Sequence, residues 1–413
     1  MNSFKEAALT YHEFPKPGKL ATQLTKPSET PKDLALAYSP GVAEPVKAIA
    51  NKPNDVYRYT QKGNLVGVIS NGTAVLGLGN VGPLASKPVM EGKGLLFKKL
   101  ADIDVFDIEI NENDPLMFIE VVSRLEPTFG GINLEDIRAP ECFLIEQELK
   151  KRMHIPVFHD DQHGTAITVA AALKNALLLQ QKKINAIKIV CVGAGAAGIA
   201  CMNLLASQGV PKEHIFLLDT KGLVVSSRED LNPYKAVFAQ DLPPATLGDV
   251  MHGADVFIGL SAPDLLTDKM VLSMNDNPII FAMANPDPEI LPTKALEIRD
   301  DIIIATGRSD FPNQVNNVLC FPFIFRGALD VRAKEINVSM MKAALDALSE
   351  LVHEPVPQVV LDGYQLENLS FGSEYILPKP TDPRLKERIS SAVARAAVAT
   401  GVAELPLPEY ALL

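Results

Sequence analysis

Apolar and polar positions alternate along this chain with two different periods, which predict strands in some segments and helices in others. Short runs rich in valine, isoleucine and leucine are typical of strands buried on both faces of a parallel sheet. Such runs lie at residues 65–70, 103–110, 117–122, 155–158, 187–192, 214–219, 255–260, 278–284 and 301–305. Segments with apolar residues at helical spacing lie between or after them, at residues 95–100, 140–152, 166–179, 199–206, 340–351 and 385–403. Strands that alternate with helices favour an α/β fold.

A glycine motif directly follows the apolar run at 187–192. Gly193, Gly195 and Gly198 have the G-x-G-x-x-G spacing, and a helical pattern starts at Ile199. In this motif the glycines permit a tight turn, a close backbone approach to a pyrophosphate, and close packing of helix on strand. The next predicted strand ends at Asp219, about 20 residues beyond the last glycine, where an acid contacts a ribose in such sites. Because incidental glycines would not bring that acid with them, we predict a dinucleotide site.

The loop residues expected to contact the cofactor are Gly193, Ala194, Gly195, Ala196, Ala197 and Gly198. The chain has 413 residues, which is enough for two or three domains with separate cores. We predict an N-terminal α/β domain at residues 1–164, a Rossmann-type doubly wound parallel sheet domain at 165–384, and a C-terminal helical tail at 385–413.

Composition and charge exclude some classes of partner. The net charge of −11 argues against binding to nucleic acid or to an anionic membrane surface. The four cysteines include no C-x-x-C pair, which fits a reducing compartment. The N-terminus has no apolar signal-peptide core, and Lys174 interrupts the best candidate for a membrane span. We therefore expect a soluble cytoplasmic protein.

Two pairs of acids follow predicted strands. Glu135 and Asp136 stand before the helix at 140–152, and Asp160 and Asp161 follow the strand at 155–158. Acids at a helix start are commonly only partners of the helix dipole. Two strand ends that each deliver paired carboxylates, however, offer the hard oxygen ligands that suit Mg²⁺ or Mn²⁺. No histidine and cysteine spacing points to zinc.

Four further side chains are worth noting from the sequence alone. Tyr38 precedes a Pro-Gly turn, and taken alone it is expected to be a half-buried packing residue. Lys93 lies between two glycines and is either solvated or a partly buried base. Asn285 and Asn317, in loops after predicted strands, either satisfy local backbone or hold a substrate or nicotinamide.

The segments LAYSPGVA, KPVMEGK, FGGINLEDI, HDDQHGT and NQVNN occur in one order along the chain. Together they resemble the malic enzymes, specifically their short bacterial form, over nearly the whole length. The resemblance implies oxidation and decarboxylation of L-malate to pyruvate and CO₂, with NAD⁺ or NADP⁺ and a divalent metal. Relatives of this length often form homodimers, so a homodimer is expected as well.

The resemblance also implies roles for individual side chains. They are metal ligation by Glu135, Asp136 and Asp161, proton abstraction by Lys93, proton donation by Tyr38, support by Asp160, and contact with malate or the nicotinamide ribose by Asn285 and Asn317. A base must be neutral, so burial near the positive nicotinamide ring should lower the pKa of Lys93. Larger relatives carry an arginine for a malate carboxylate where this chain has Ala74, so that carboxylate must be held otherwise.

Two alternatives remain at this stage. An amino-acid dehydrogenase also pairs a lysine with a Rossmann domain but needs no metal, and a silent NAD-binding regulatory module needs none of these catalytic groups. The choice of cofactor also stays open: Asp219 favours NAD, whereas Lys221 and Arg228 could offset the 2′-phosphate of NADP.

Overall fold

The computed structural model describes residues 2–412, and the chain builds two parallel sheets covered by helices. The strands are β1 (Leu65–Ser70), β2 (Asp104–Glu109), β3 (Gly131–Leu134), β4 (Val157–His159), β5 (Ile189–Val192), β6 (Ile215–Asp219), β7 (Gly222–Leu223), β8 (Val256–Gly259), β9 (Ile279–Ala282) and β10 (Ile303–Thr306). The helices are α1 (Asn2–Glu13), α2 (Pro31–Ala37), α3 (Ala43–Asn51), α4 (Val56–Tyr59), α5 (Pro83–Ala101), α6 (Pro115–Ser123), α7 (Glu141–Arg152), α8 (Asp160–Leu179), α9 (Ala196–Ser207), α10 (Pro233–Ala236), α11 (Leu247–Met251), α12 (Asp268–Leu272), α13 (Pro292–Ile298), α14 (Phe321–Asp330), α15 (Val338–Glu350), α16 (Gln358–Tyr364) and α17 (Arg384–Ala399).

The first sheet has the order β2-β1-β3-β4, and all its strands are parallel. The central strands β1 and β3 are buried throughout, as apolar runs in a parallel sheet should be. Parallel strands end at the same edge of a sheet. The residues that follow β3 and β4, including the two acidic pairs, therefore meet at one edge.

The predicted strand at 117–122 is wrong, because this segment belongs to helix α6. The Asp114 side chain accepts hydrogen bonds from the backbone N–H groups of Leu116 and Met117, and Pro115 takes the first helical position. Both features favour a helix start. A short apolar run fits a buried helix as well as a strand, and the capping residues decide between them here.

Strand β3 is absent from the predicted strands, because the Gly-Gly pair at residues 130–131 also favours a turn. Gly131 pairs with Val66 of β1, so the Gly-Gly pair opens a strand. Glu135 and Asp136 consequently follow a strand end directly. Helix α8 also starts earlier than predicted, at Asp160, which places Asp160 and Asp161 in its first turn.

The second sheet has the order β10-β9-β8-β5-β6-β7. All neighbouring strands are parallel except β6 and β7, which are antiparallel. The chain moves outward from β5 in both directions, so the loop after β5 stands at the switch point where doubly wound sheets bind ligands. The predicted fold class, a Rossmann-type doubly wound sheet with an N-terminal α/β domain, is confirmed.

Aromatic side chains of helix α14 connect the second half of the chain to the first sheet. The ring of Phe325 in α14 packs edge-on against Phe97 of α5 and Phe158 of β4, and Phe321 also contacts Phe97. Helix α14 follows the second sheet along the chain, yet it packs against elements of the first. Within residues 2–412, no helix combines the length and apolar character needed to cross a bilayer.

Candidate active site

A crevice of about 840 Å³ lies where the carboxyl ends of the two sheets face each other. Most of the predicted site residues line it: Lys93, Glu135, Asp136, Asp161, Gly193, Gly195, Ala196, Ala197, Gly198, Asn285 and Asn317. Four others do not line it, and one of these, Asp219, lies at the end of β6. Ala194 is buried behind the glycine loop and Asp160 is fully buried beneath Lys93, whereas Tyr38 lies outside the crevice.

Three carboxylates converge on one point of the crevice. Glu135, Asp136 and Asp161 each offer an oxygen, and these oxygens all lie within 4.8 Å of one another. The Asn133 side chain donates a hydrogen bond to Glu135 Oε2 at 2.9 Å, and the Asp136 backbone N–H donates to Asp161 Oδ2 at 2.7 Å. The first of these bonds orients Glu135, and the second ties the strand-end loop to the start of α8.

The electrostatics of this cluster fit a bound cation. Burial, reinforced by the neighbouring carboxylates, raises the pKa of Asp136 to about 9, of Glu135 to about 7 and of Asp161 to about 6. Asp136 Oδ2 is buried without a hydrogen-bond partner among the described residues. Like charges held this close repel each other unless a positive ion lies between them. An all-oxygen set of this kind suits Mg²⁺ or Mn²⁺.

Lys93 projects from α5 into the base of the cluster. Its ammonium lies 2.6 Å from Asp160 Oδ2 and 2.9 Å from Glu135 Oε1, with the Phe321 ring centroid at 4.2 Å. Burial alone would lower the pKa of Lys93, but Asp160 and Glu135 outweigh it, so that the pKa is raised. The lowering of this pKa that is expected beside a bound nicotinamide ring stays a prediction.

The glycine loop has the geometry of a pyrophosphate-binding turn. Gly193 has φ of +112°, and a Cβ at Gly198 would lie 1.9 Å from the Gly193 carbonyl oxygen. Helix α9 can therefore approach β5 this closely only without a side chain at position 198. A Cβ at Gly195 would meet nothing within 4 Å, so the backbone there faces open space at the N-terminus of α9, where an anion is favoured.

Asp219 ends β6 beside the glycine loop, but its carboxylate is not free. Arg228 donates to both of its oxygens at 2.9 Å, and Lys235 donates to Oδ2 at 2.7 Å. Although burial alone would raise the pKa of Asp219, these hydrogen bonds hold it below its ordinary value. Lys221, expected near the same position, pairs instead with Asp230 at 2.7 Å.

Two amides close the crevice on the side of the second sheet. Asn285 follows β9, and Asn317 starts the short turn Asn317–Leu319 after β10. Asn285 Nδ2 makes one long hydrogen bond, 3.4 Å, to the Met283 carbonyl oxygen. The Asn317 side chain makes none within residues 2–412. Both amides are thus available to a ligand.

Tyr38, the expected proton donor, does not line the crevice of its own chain. It caps the C-terminus of α2 and is 76% exposed. Another tyrosine, Tyr11 of α1, does line the crevice, and the sequence offered no motif that pointed to it.

Lys235 and Arg138 also lie at the site, although neither was predicted from the sequence. Lys235 reaches Asp219 from a helix 16 positions further along the chain, without a recognisable motif. Arg138 lines the crevice two positions after Asp136, and that proximity was the available signal.

The fold and this site define the chain as an oxidoreductase that uses a nicotinamide dinucleotide. Two family descriptions match it: "Malic enzyme, N-terminal domain" over residues 17–150 and "Malic enzyme, NAD binding domain" over residues 162–362. The chain therefore belongs to the malic enzyme family. Its reaction is oxidative decarboxylation of malate to pyruvate and CO₂ with reduction of NAD(P)⁺, which excludes the amino-acid dehydrogenase and the silent regulatory module.

Individual relatives agree over the full length of the chain. An NADP-dependent malic enzyme of Halomonas elongata is 60% identical, covering 98% of this chain and 96% of that protein. An NAD-dependent malic enzyme of Rhizobium meliloti is 55% identical over 98% of this chain, which spans only 53% of the relative. The crystal structure of malic enzyme from Pyrococcus horikoshii superposes with a TM-score of 0.87 at 43% identity, covering 98% of this chain and 92% of that one.

Proposed function

We propose that this chain is a divalent-cation-dependent malic enzyme that acts on L-malate, prefers NADP⁺ and works as a homodimer. The observation that carries the proposal is the convergence of Glu135, Asp136 and Asp161 beside Lys93, in a crevice shared with the glycine loop. We also propose the division into an N-terminal domain (1–164), a Rossmann-type domain (165–384) and a helical tail (385–413).

The three carboxylates would hold Mg²⁺ or Mn²⁺. When bound, such an ion supplies Lewis-acid polarisation, which lowers the cost of removing the malate hydroxyl proton and of breaking the C–C bond. Asn285 and Asn317 would then orient malate against the nicotinamide, so that hydride leaves C2 for the ring. Glu135 serves two partners here, because one of its oxygens faces Lys93 and the other accepts from Asn133.

Lys93 would act as the base with Asp160 as its proton partner. A protonated lysine has no lone pair, so Lys93 must first lose a proton to take another from the hydroxyl. Asp160 Oδ2 lies 2.6 Å from the ammonium, and Asp160 Oδ1 is buried without a hydrogen-bond partner among the described residues. Burial raises the pKa of Asp160 to about 7, so moving the lysine proton to Asp160 costs less than moving it to an ordinary carboxylate.

Tyr38 would protonate the enolate left after CO₂ departs, and a second copy of the chain would bring it there. Helices α2 and α3 contain no buried residue, and the N-terminal segment exposes apolar side chains on a scale unusual for a monomer. The larger ones are Phe4, Leu9, Tyr11, Phe14, Leu24, Leu34, Leu36, Tyr38, Val42 and Val46. If the same segment of a second chain packed against this surface across a two-fold axis, the apolar side chains would be buried. Tyr38 would then lie beside the crevice of the second chain.

The preference for NADP⁺ follows from the charges around Asp219. In NAD-specific sites an acid at this position accepts hydrogen bonds from the ribose 2′-OH. Here Arg228 and Lys235 occupy both oxygens of the carboxylate. The cluster presents cationic groups to the ribose, as a 2′-phosphate requires. A cytoplasmic location stays a prediction, supported by four buried cysteines that are all free.

Replacement of Lys93 tests this assignment. The Lys93→Met enzyme, assayed with malate, Mn²⁺ and NADP⁺ for both NADPH and CO₂, should lose about 10²- to 10⁴-fold in kcat, as expected for loss of a general base. Its Kd for NADP⁺ should be unchanged. Lys62→Met is the matched control, since Lys62 is equally buried but donates only to backbone carbonyls. Near-normal turnover by the Lys93 variant would remove it as the base.

A further inference from the structure

We propose that Arg138 binds the malate carboxylate that takes no part in metal chelation. The proposal rests on the function proposed above and deepens it. Malate carries two carboxylates, and chelation through the hydroxyl group engages only one of them. The other would enter a crevice in which Ala74 offers a methyl group and no charge.

The charge balance of the crevice requires a further cation. Glu135, Asp136, Asp160 and Asp161 surround the single ammonium of Lys93. A divalent ion offsets only part of that negative charge, and the substrate is itself a dianion. An unpaired carboxylate in such a partly desolvated site would be strongly disfavoured.

Besides Lys93, two cationic side chains line the crevice, Lys19 and Arg138. Lys19 Nζ donates to the Pro88 carbonyl oxygen at 2.9 Å, and its backbone N–H donates to Glu91 Oε2 at 2.9 Å. Lys19 is therefore tied to the flank of α5 beside an acid. Arg138 belongs to the loop that carries the metal ligands.

Arg138 is anchored next to the position that Ala74 leaves without charge. The Arg138 backbone N–H donates to Thr73 Oγ1 at 3.0 Å, and the Ala74 backbone N–H donates to the Asp136 carbonyl oxygen at 3.0 Å. These two bonds join the loop of Thr73 and Ala74 to the loop of Asp136 and Arg138. A guanidinium on the second loop can thus occupy the region that a long side chain on the first would reach.

The guanidinium has donors left for a ligand. Nε and Nη2 both reach one oxygen of Glu141, at 2.9 and 2.7 Å. Nη1 makes no hydrogen bond within residues 2–412, and the side chain is 46% exposed. Arg138 can therefore keep its bond to Glu141, which fixes its direction, while Nη1 and Nη2 bind a carboxylate.

The Arg138→Met variant separates this role from general damage to the loop. Its KM for malate should rise about 10- to 100-fold, the loss expected for a charge-assisted hydrogen-bonded pair. Its Mn²⁺ affinity and its Ki for oxalate, which mimics the chelating half of the substrate and lacks the distal carboxylate, should stay within about twofold of wild type. Arg138→Lys should recover part of the loss, because the charge returns without the fork geometry.

Lys19→Met is the matched control and should leave the KM for malate near the wild-type value. An unchanged malate KM in Arg138→Met, or a larger rise in Lys19→Met, would overturn the proposal. A parallel rise in the oxalate Ki and loss of Mn²⁺ affinity would also overturn it, since Arg138 would then only support the ligand loop. Failure of the proposed function itself would look different, because wild-type enzyme would then not oxidise malate.

Discussion

Three cationic side chains lie around Asp219, at the end of β6, and the nearby Asp230. Arg228 and Lys235 both contact Asp219, and Lys221 contacts Asp230. A carboxylate held by two cations attracts a phosphate more than it repels one, because its charge is already neutralised. Under the proposed preference for NADP⁺, the same acid that marks an NAD site in the sequence would, with its partners in place, position cations for a 2′-phosphate.

Lys235→Gln tests this at the scale of a single residue. Loss of one charge-assisted contact should raise the KM for NADP⁺ about 10-fold or more and leave the KM for NAD⁺ within about twofold. Lys212→Gln, an exposed lysine just before β6, is the control and should change neither value. An equal rise for both cofactors would show that Lys235 only supports Asp219.

The type of chemistry at most site residues could be predicted from short sequence motifs. Adjacent acids and closely spaced glycines remain near one another in any fold, because they are neighbours along the chain. Contacts made at long range could not. Lys235 meets Asp219 only after a loop folds back, and the raised pKa of Lys93 depends on Asp160 and Glu135 together. No local pattern contains that information.

At the scale of elements, the three glycines in the turn from β5 to α9 have different structural roles. Gly198 permits close packing of the helix on the strand, whereas Gly195 borders open space in the crevice. The two positions therefore allow the packing role and the ligand role to be separated with the same small substitution.

Gly198→Ala should lower the free energy of unfolding by about 1–3 kcal/mol, because the added methyl group overlaps the Gly193 carbonyl oxygen and the helix must shift. Gly195→Ala should leave stability nearly unchanged but raise the Kd for NADP⁺ about 10-fold or more, since the methyl group points toward the pyrophosphate. Denaturant unfolding and fluorescence titration measure the two effects. Equal loss of stability in both variants would contradict the division.

Element types were predictable where length and periodicity agreed, as in five of the six strands of the second sheet; the two-residue strand β7 was not predicted. They were not where two physical signals competed. The apolar run in α6 fits a strand until Asp114 and Pro115 cap it as a helix, and the Gly-Gly pair before β3 fits a turn until β1 provides a pairing partner. In both cases the deciding interaction involves a neighbouring residue or strand outside the run.

At the scale of the whole molecule, the proposed homodimer would complete the active site with Tyr38 of a second chain. Mixed dimers of Tyr38→Phe and Lys93→Met chains test whether Tyr38 acts across the interface. With random pairing, the mixture should recover about a quarter of wild-type activity, since one crevice of each mixed dimer would hold both native groups. Activity of the co-expressed mixture, with the three kinds of dimer left unseparated, measures this directly.

The reciprocal mixture provides the control. Wild-type chains combined with the Tyr38→Phe/Lys93→Met double variant should again give about a quarter of wild-type activity if Tyr38 acts in trans, but about half if it acts within its own chain. Tyr11→Phe should leave the pattern unchanged, although Tyr11 lines the crevice. No recovery from the single variants would assign the proton donor to the same chain. The sequence could not predict this arrangement, because exposure of Tyr38 is visible only in the folded chain.

Helix α8 begins at Asp160 and Asp161 and runs on to pack against α9, the helix that follows the glycine loop. The helix therefore contacts both the proposed cation site and the proposed nucleotide-binding part of the crevice. Because one helix carries both Asp161 and the contact with α9, a shift of α9 would also shift Asp161 relative to Glu135 and Asp136.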